Sequence, residues 1–156
     1  MRITLLAVGK TVVPWVKEGL DGYAARIRRY VPFEVAEIPE LKGAGAMSEA
    51  QIREKEGALI LKAAGQSRII LLDEHGTAYR SLEFADALQN MMSHSQKDLV
   101  FVIGGAYGFS PDVYAAASSK ISLSKMTFNH QMVRTVFAEQ LYRAFTIMKG
   151  EPYHHE

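Results

Sequence analysis

Short apolar runs alternate along the chain with longer segments whose apolar residues recur at helical spacing. The runs at 69–72 and 99–103 contain apolar residues only, which is typical of strands covered by helices on both faces. This alternation predicts an α/β fold with a mainly parallel sheet and helices on both faces. The predicted strands are Ile3–Gly9, Phe33–Ile38, Arg68–Asp73, Leu99–Gly105 and Ile121–Leu123.

Capping residues indicate where the helices begin. Pro14 suits the first turn of a helix, and Ser48 with Gln51 has the spacing of a capping box. Serines at 81 and 110 predict the N-caps of two further helices. A last helix is predicted from about His130 to Lys149, with one apolar face formed by Val133, Phe137, Leu141, Ala144 and Met148.

Length and composition restrict the class of protein. The 156 residues suit a single domain spanning 1–156, and the absence of cysteine excludes disulfides, thiolate metal sites and a cysteine nucleophile. Lys and Arg number 18 against 17 Asp and Glu, so a net charge of +1 gives no global attraction to nucleic acid or a membrane. No apolar stretch has the length of a signal core or a membrane span. We therefore predict a cytoplasmic protein with no membrane association.

Three predicted strands end in chemically unusual turns. In an open parallel sheet, ligands bind beyond the carboxyl ends of the strands. The middle turn lets a ligand approach the backbone closely, because three of its five positions are glycine. A plain turn is the alternative for each, but three at one sheet edge favour a binding site. The turns are Leu72-Asp73-Glu74-His75-Gly76, Gly104-Gly105-Ala106-Tyr107-Gly108 and Leu123-Ser124-Lys125-Met126-Thr127-Phe128.

The usual nucleotide-binding motifs are missing. The turn after the first strand lacks the glycine spacing of a dinucleotide fingerprint. Gly9-Lys10-Thr11 imitates the end of a P-loop, but Thr4 stands where the first glycine is needed. The sequence supports neither an NTPase nor a standard nicotinamide enzyme.

The C-terminal segment is rich in polar residues. An ion pair between Glu139 and Arg143, or a frayed tail, would explain part of it without any function. Adjacent histidines at 154 and 155 rarely point at one ion, so no metal site is predicted. Arg26, Arg28 and Arg29 form the only tight basic cluster, either a solvated helix face or a set of phosphate contacts.

The order of motifs along the whole chain resembles the RlmH family, small bacterial methyltransferases of the SPOUT class that act on large-subunit ribosomal RNA. The most specific parts of the series are the Gly-Gly-x-x-Gly loop, the Leu-Ser-x-x-Thr-Phe loop and the Pro-Tyr-His ending. The motifs are Ala7-Val8-Gly9-Lys10, Pro14-Trp15-Val16, Lys55-Glu56-Gly57, Leu72-Asp73, Ile103-Gly104-Gly105 with Gly108, Ser122-Leu123-Ser124-Lys125-Met126-Thr127-Phe128, His130-Gln131-Met132-Val133-Arg134, Glu139-Gln140-Leu141-Tyr142-Arg143-Ala144 and Pro152-Tyr153-His154.

The resemblance implies more than the patterns do. It implies transfer of a methyl group from S-adenosylmethionine to N3 of a pseudouridine in helix 69 of 23S rRNA, within the assembled ribosome. It also implies a homodimer and a SPOUT-type fold with a C-terminal trefoil knot. Topology rules alone predict no knot, because true knots are nearly absent from proteins.

The resemblance also assigns site residues. Some family members have Pro-Glu where this chain has Ala106-Tyr107, and an arginine or lysine where it has His155. The first difference leaves the glycines intact, and the second puts the role of position 155 in doubt. The cofactor site matches Leu72, Gly104, Leu123, Ser124, Lys125, Met126, Thr127 and Phe128. The polar C-terminal residues of the family match His130, Arg134, Glu139, Arg143, Tyr153 and His154.

Roles for the polar residues follow as hypotheses. His154 is the first candidate for the base that accepts the N3 proton, because imidazole titrates near neutrality, and Glu139 is the second. Arg134 would hold a phosphate or stabilise charge on the uracil carbonyls, and Tyr153 would stack on the base. The alternatives are a flavodoxin-like nucleotide-binding α/β protein and a non-catalytic ribosome-binding factor.

Overall fold

All five strands belong to one parallel sheet. The structure, a computed structural model, describes residues 1–156, and the strand order is β2-β1-β4-β3-β5. Every neighbouring pair of strands is parallel. The predicted α/β fold with a parallel sheet is therefore confirmed. The strands are β1 Ile3–Val8, β2 Phe33–Ile38, β3 Arg68–Ala78, β4 Leu99–Ile103 and β5 Ser119–Ser122.

The helices begin mostly where the caps predict. Ser48 and Gln51 bond reciprocally at 2.8 and 3.2 Å, and the Ser110 hydroxyl accepts the Val113 amide at 3.3 Å. The predicted cap at Ser81 is wrong by one residue, because a carboxylate in the first turn accepts the amide of Arg80 and draws Ser81 into the helix. The helices are α1 Pro14–Ile27, α2 Glu49–Ala64, α3 Ser81–His94, α4 Pro111–Ala116 and α5 Met132–Met148, with a 3-10 turn at Ala44–Ala46.

The central strand β4 is buried on both faces. Its side chains alternate, so Leu99, Phe101 and Ile103 join a core with α1, α3 and α5. Val100 and Val102 join a second core with α2 and α4 on the other face. The unbroken apolar run of β4 is thus explained by two helical layers, as predicted.

Strand β3 runs five residues beyond its predicted end at Asp73. The pairing with β5 breaks between Leu72 and Thr77 and then resumes up to Ala78. Gly76 lies in the irregular stretch, where a Cβ atom would come within 2.5 Å of the Ile121 amide nitrogen. The acidic turn predicted after Leu72 is therefore a bulge within a longer strand, and glycine lets that bulge pack against the β5 backbone.

The last helix lies across the face made by α1 and α3 and packs on both. Its buried residues Phe137, Leu141 and Phe145 form the centre of that core. The C-terminal trefoil knot stays a prediction, since strand order alone does not define how the chain is threaded. No helix is long and apolar enough to cross a bilayer.

Replacing Phe137 by alanine is expected to destabilise the fold by about 3–5 kcal/mol, because the ring is fully buried with its centroid 4.9 Å from that of Phe101. Denaturant unfolding measures the change. Phe128→Ala is the control, since Phe128 is 37% exposed and the same deletion there should cost less than about 1 kcal/mol. Equal losses for the two variants would contradict this account of the core.

Candidate active site

The loops that follow β3, β4 and β5 meet at one edge of the sheet. They enclose a cavity of about 850 Å³, whose walls include residues 72–75, 103–109 and 121–130 apart from Lys125. Glu49 and Arg53 of α2, with Tyr114 and Val133, complete the wall. The prediction that three strand-end turns share one edge is confirmed.

Seven of the eight predicted cofactor residues line this cavity. Lys125 is the exception, and it lies at the tip of the third loop between two lining residues. Contact with a cofactor stays a prediction for the whole set. The seven are Leu72, Gly104, Leu123, Ser124, Met126, Thr127 and Phe128.

Two glycines of the glycine loop have no room for a side chain, and a third needs glycine for its backbone conformation. A Cβ atom on Gly104 would lie 3.0 Å from the ring of Phe109, and one on Gly105 would lie 2.7 Å from the carboxylate of Glu56. Gly108 has a φ of +78°, a conformation that favours glycine. The loop closes on itself through a hydrogen bond from the Gly108 amide to the Gly105 carbonyl at 3.2 Å. At its glycines the loop therefore offers main chain to the cavity, beside the side chains of Ala106, Tyr107 and Phe109.

The third loop is held by its own serines. The Ser122 hydroxyl donates to the Ser124 carbonyl at 3.0 Å, and the Ser124 hydroxyl accepts the Met126 amide at 2.9 Å. These bonds leave Met126 80% exposed and Phe128 37% exposed at the mouth of the cavity. The loop therefore presents apolar side chains and backbone groups to a ligand.

Tyr114 and Asp73 form a polar contact in the cavity wall. The Tyr114 hydroxyl donates to the Asp73 carboxylate, which also accepts the His75 amide at 2.8 Å. Burial, followed by the bond to Asp73, raises the pKa of Tyr114 to about 12. Tyr114 therefore remains a neutral donor at physiological pH.

Arg134 is fully buried at the start of α5. Its guanidinium donates to the carbonyls of Val8 at 3.0 Å, Gly9 at 2.9 Å and His130 at 3.1 Å. It also donates to the Thr11 hydroxyl at 2.8 Å. Burial and these bonds to backbone carbonyls support a structural role for Arg134, and its predicted contact with a phosphate or a uracil carbonyl stays a prediction.

Glu37 is the only acidic partner of Arg134, at 3.5 Å. Burial lowers the pKa of Arg134 and Glu37 opposes that effect. The Glu37 carboxylate also accepts the Thr11 amide. Arg134 and Glu37 together fix the segment that leaves β1.

The remaining polar residues form a separate cluster of α5 and the C-terminal tail, made of Glu139, Arg143, Tyr153 and His154. Glu139 accepts from the Arg143 guanidinium and, at 2.9 Å, from the Tyr153 hydroxyl. Arg143 lies over the Tyr153 ring, 4.8 Å from its centroid. The bond to Glu139 is the main reason that the pKa of Arg143 is raised, and burial is the main reason for the raised pKa of Tyr153.

His154 is held at both ring nitrogens. Arg143 lies 3.1 Å from Nδ1, and Glu156 lies 3.1 Å from Nε2. Because arginine can only donate, the Arg143 contact requires a lone pair on Nδ1 and hence a proton on Nε2. The structure therefore fits a neutral His154 with the proton directed at Glu156.

The predicted catalytic residues are thus divided among three places, of which the first is the buried junction that holds Arg134. His130 lines the cavity, but the cavity wall includes none of the four residues of the C-terminal cluster. No group of three or more His, Cys, Asp or Glu side chains is arranged to hold a metal ion. One copy of the chain does not assemble the predicted site.

Comparison with known proteins identifies the family. Residues 1–154 match the model described as a predicted SPOUT methyltransferase. A ribosomal RNA large subunit methyltransferase H from Bacteroides thetaiotaomicron is 54% identical over 157 residues, covering 100% of both chains. The chain belongs to the RlmH family of SPOUT methyltransferases. The same-named relative from Flavobacterium johnsoniae is 49% identical, again over 100% of both chains.

Solved structures support the SPOUT fold. A probable methylase family protein from Haemophilus influenzae matches with a TM-score of 0.53 at 14% identity, covering 99% of this chain and 70% of that one. A probable methyltransferase from Bordetella pertussis has a TM-score of 0.53 at 16% identity, covering 92% and 95%. At these identities the likeness concerns the fold alone.

Several residues of this RlmH-family site were missed from the sequence. Tyr114 and Arg53 carry no motif, so only the packing of α4 and α2 reveals them at the cavity. Glu56 stands in the Lys-Glu-Gly motif, but its approach to Gly105 depends on how α2 packs. Gln131 bonds to the Val12 amide and the Lys10 carbonyl across the fold, at 2.9 and 3.0 Å.

Replacing Arg134 by methionine is expected to destabilise this RlmH-family protein by about 3–5 kcal/mol, since the change leaves several buried carbonyls and Glu37 unpaired. Denaturant unfolding measures this loss of folding free energy. Arg143→Met is the comparison. The Arg143 side chain is 25% exposed, so its replacement should lower the free energy of unfolding by less than Arg134→Met does. A stable Arg134→Met protein would contradict the structural role.

Proposed function

We propose that the chain methylates N3 of a pseudouridine in helix 69 of 23S rRNA, within the assembled ribosome in the cytoplasm, with S-adenosylmethionine as the methyl donor. Family membership supports ribosomal RNA methylation. The observation that carries the cofactor assignment is the cavity bounded by three strand-end loops, one of which contains three glycines that expose its main chain. The position methylated rests on the family resemblance.

The cavity fits the proposed cofactor. Its volume of about 850 Å³ lies within the range of small-molecule sites. Leu72 and Gly104 would hold the cofactor from two strand ends, and the segment 123–128 would hold it from the third. Exposed amides and carbonyls of these loops would read the adenine edge, and Met126 and Phe128 would cover apolar surface. When bound, the cofactor supplies a sulfonium-activated methyl group.

The contribution of the chain is mainly to align the reacting atoms. Holding a nucleophile and an electrophile in line accounts for roughly 7–11 kcal/mol of barrier reduction in well-oriented systems. The target nitrogen carries a proton that must leave before or during attack, and a positioned base contributes about 10²–10⁴-fold. Methylation of N3 therefore requires a side chain close to the cavity that accepts this proton.

His154 remains our first candidate for this acceptor. A neutral imidazole has one lone pair, and Arg143 holds it at 3.1 Å, so His154 acts as a base only after that contact opens. Glu139 is the weaker candidate, because its carboxylate accepts from Arg143, Tyr153 and Gln140. A substrate proton could reach this carboxylate only by displacing one of those donors.

We propose that the active unit is a homodimer in which the C-terminal cluster of one protomer meets the cavity of the other. The separation of the cluster from the cavity within one chain supports this arrangement. Three apolar side chains near the starts of α1 and α5 are exposed: Val12 at 70%, Trp15 at 62% and Met132 at 42%. A second copy would cover such a surface.

The alternatives have less support. A flavodoxin-like protein does not fit the family match over residues 1–154. A non-catalytic ribosome-binding factor would be expected to have lost the glycine loop or the Tyr153-His154 ending, and both are present. Detection of turnover excludes that second alternative directly.

Purified protein with S-adenosylmethionine is expected to form 3-methylpseudouridine on ribosomes from cells that lack the modification. Naked 23S rRNA should react at least about tenfold more slowly, because a net charge of +1 offers little attraction to free phosphates. Mass spectrometry of nuclease fragments locates the methyl group. A methyl group elsewhere, or equal rates on both substrates, would contradict the proposal.

A heterodimer of two inactive variants tests the shared site. His154→Ala damages the cluster, and Gly105→Val damages the cavity wall, so each homodimer should be slow in single-turnover assays. If each site takes its cluster from the partner, the mixed dimer contains one intact site and should recover about half the normal rate. No recovery would contradict the shared site, and a near-normal rate for His154→Ala alone would exclude His154 as the base.

A further inference from the structure

Two carboxylates lie behind the glycine loops at the sheet edge. Glu56 of α2 is directly behind Gly105, where a Cβ atom would lie 2.7 and 2.9 Å from its two carboxylate oxygens. Glu40, just after β2, lies 3.3 Å from a Cβ placed on Gly9. Gly105 belongs to the cavity wall and Glu56 does not. One residue of bare main chain therefore stands between the Glu56 carboxylate and the cavity.

Glu56 has no compensating partner. Its Oε1 atom is buried and accepts no hydrogen bond. None of the ion pairs in the structure involves Glu56 or Glu40. Arg53, one turn earlier on α2, pairs with Glu49 instead. Burial, followed by the charge of Glu40, raises the pKa of Glu56.

An uncompensated carboxylate costs folding free energy. A glutamine would fill the same space without that cost. Glu56 is partly exposed, but its Oε1 atom is shielded from solvent. The charge becomes favourable when a cation occupies the neighbouring cavity, because charges attract more strongly where water screens them less. At Gly105 the wall between the Glu56 carboxylate and the cavity is a backbone segment without a side chain.

We propose that Glu56 is the counter-charge that makes the cavity prefer a cationic adenosyl ligand to its neutral counterpart. This inference rests on the proposed function. S-adenosylmethionine carries a net charge of +1, from a sulfonium, an ammonium and a carboxylate. When its methyl carbon bonds to N3, the sulfur keeps the electron pair of the broken bond, and the N3 proton goes to the base. The remaining S-adenosylhomocysteine is neutral.

The charge of Glu56 therefore attracts the cationic methyl donor and not the neutral product. It favours loading of the sulfonium form and ceases to hold the ligand once the methyl group has left. The same carboxylate thus opposes product inhibition without touching either ligand.

Calorimetric titration of the full chain with both ligands tests the inference. Glu56→Gln should weaken S-adenosylmethionine binding about tenfold, the size of one charge pair at intermediate dielectric, and should change S-adenosylhomocysteine binding less than about twofold. Sinefungin, which carries an amine in place of the methylated sulfur, should behave like S-adenosylmethionine. Glu54→Gln is the matched control, since it removes the same charge from an exposed position on the same helix.

Unfolding measurements separate charge from structure. Glu56→Gln should be at least as stable as the natural chain, because it removes an uncompensated charge. Equal weakening of both ligands, or a loss of stability with it, would show that Glu56 merely supports the loop and would overturn the inference. If the natural chain binds neither ligand, the proposed function itself fails.

Discussion

The buried guanidinium of Arg134 joins the last helix to the end of the first strand. It draws carbonyls from Val8, Gly9 and His130 to one side chain. Gly9 has a φ of +85°, and the turn that it makes brings its carbonyl to the arginine. Everything that follows β5 depends on this junction, because it fixes where the segment leading into α5 crosses the sheet edge.

The cavity depends on the fixed position of the segment between β5 and α5 at the sheet edge. The third loop can serve as a wall only if its far end, at His130, is held against the rest of the sheet edge. Arg134 holds that end through the His130 carbonyl, and Gln131 holds it through Lys10 and Val12. The rest of the third loop, between β5 and His130, then presents its main chain and its exposed apolar side chains to a ligand.

Hydrophobic patterning was enough to predict the sheet, its parallel pairing and both helical layers. The unusual turns after three strands were enough to predict which strand ends form the cavity, although only two of the three turns contain glycine. The patterns could not predict that β3 resumes pairing after Gly76, because the partner strand β5 is short and weakly apolar. Nor could they distinguish a buried arginine from an exposed one, since Arg134 stands within an ordinary amphipathic pattern.

The polar C-terminal residues show a further limit of sequence reasoning. They stand close together in the sequence, and the resemblance assigns them to one site. In the structure, α5 carries Glu139 and Arg143 beyond the cavity, and the tail folds back on them rather than toward it. The resemblance grouped these residues, but only the fold reveals that four of them form a cluster that does not line the cavity.

The basic cluster at the end of α1 is more tightly held than its sequence indicates. The Arg28 Nε atom donates to the Phe33 carbonyl at 2.9 Å, and Arg26 lies over the rings of Tyr23 and Tyr142, 5.4 and 5.6 Å from their centroids. Arg29 alone of the three makes no such contact. All three arginines remain exposed, so these contacts fix where two of the positive charges stand on the surface without removing them.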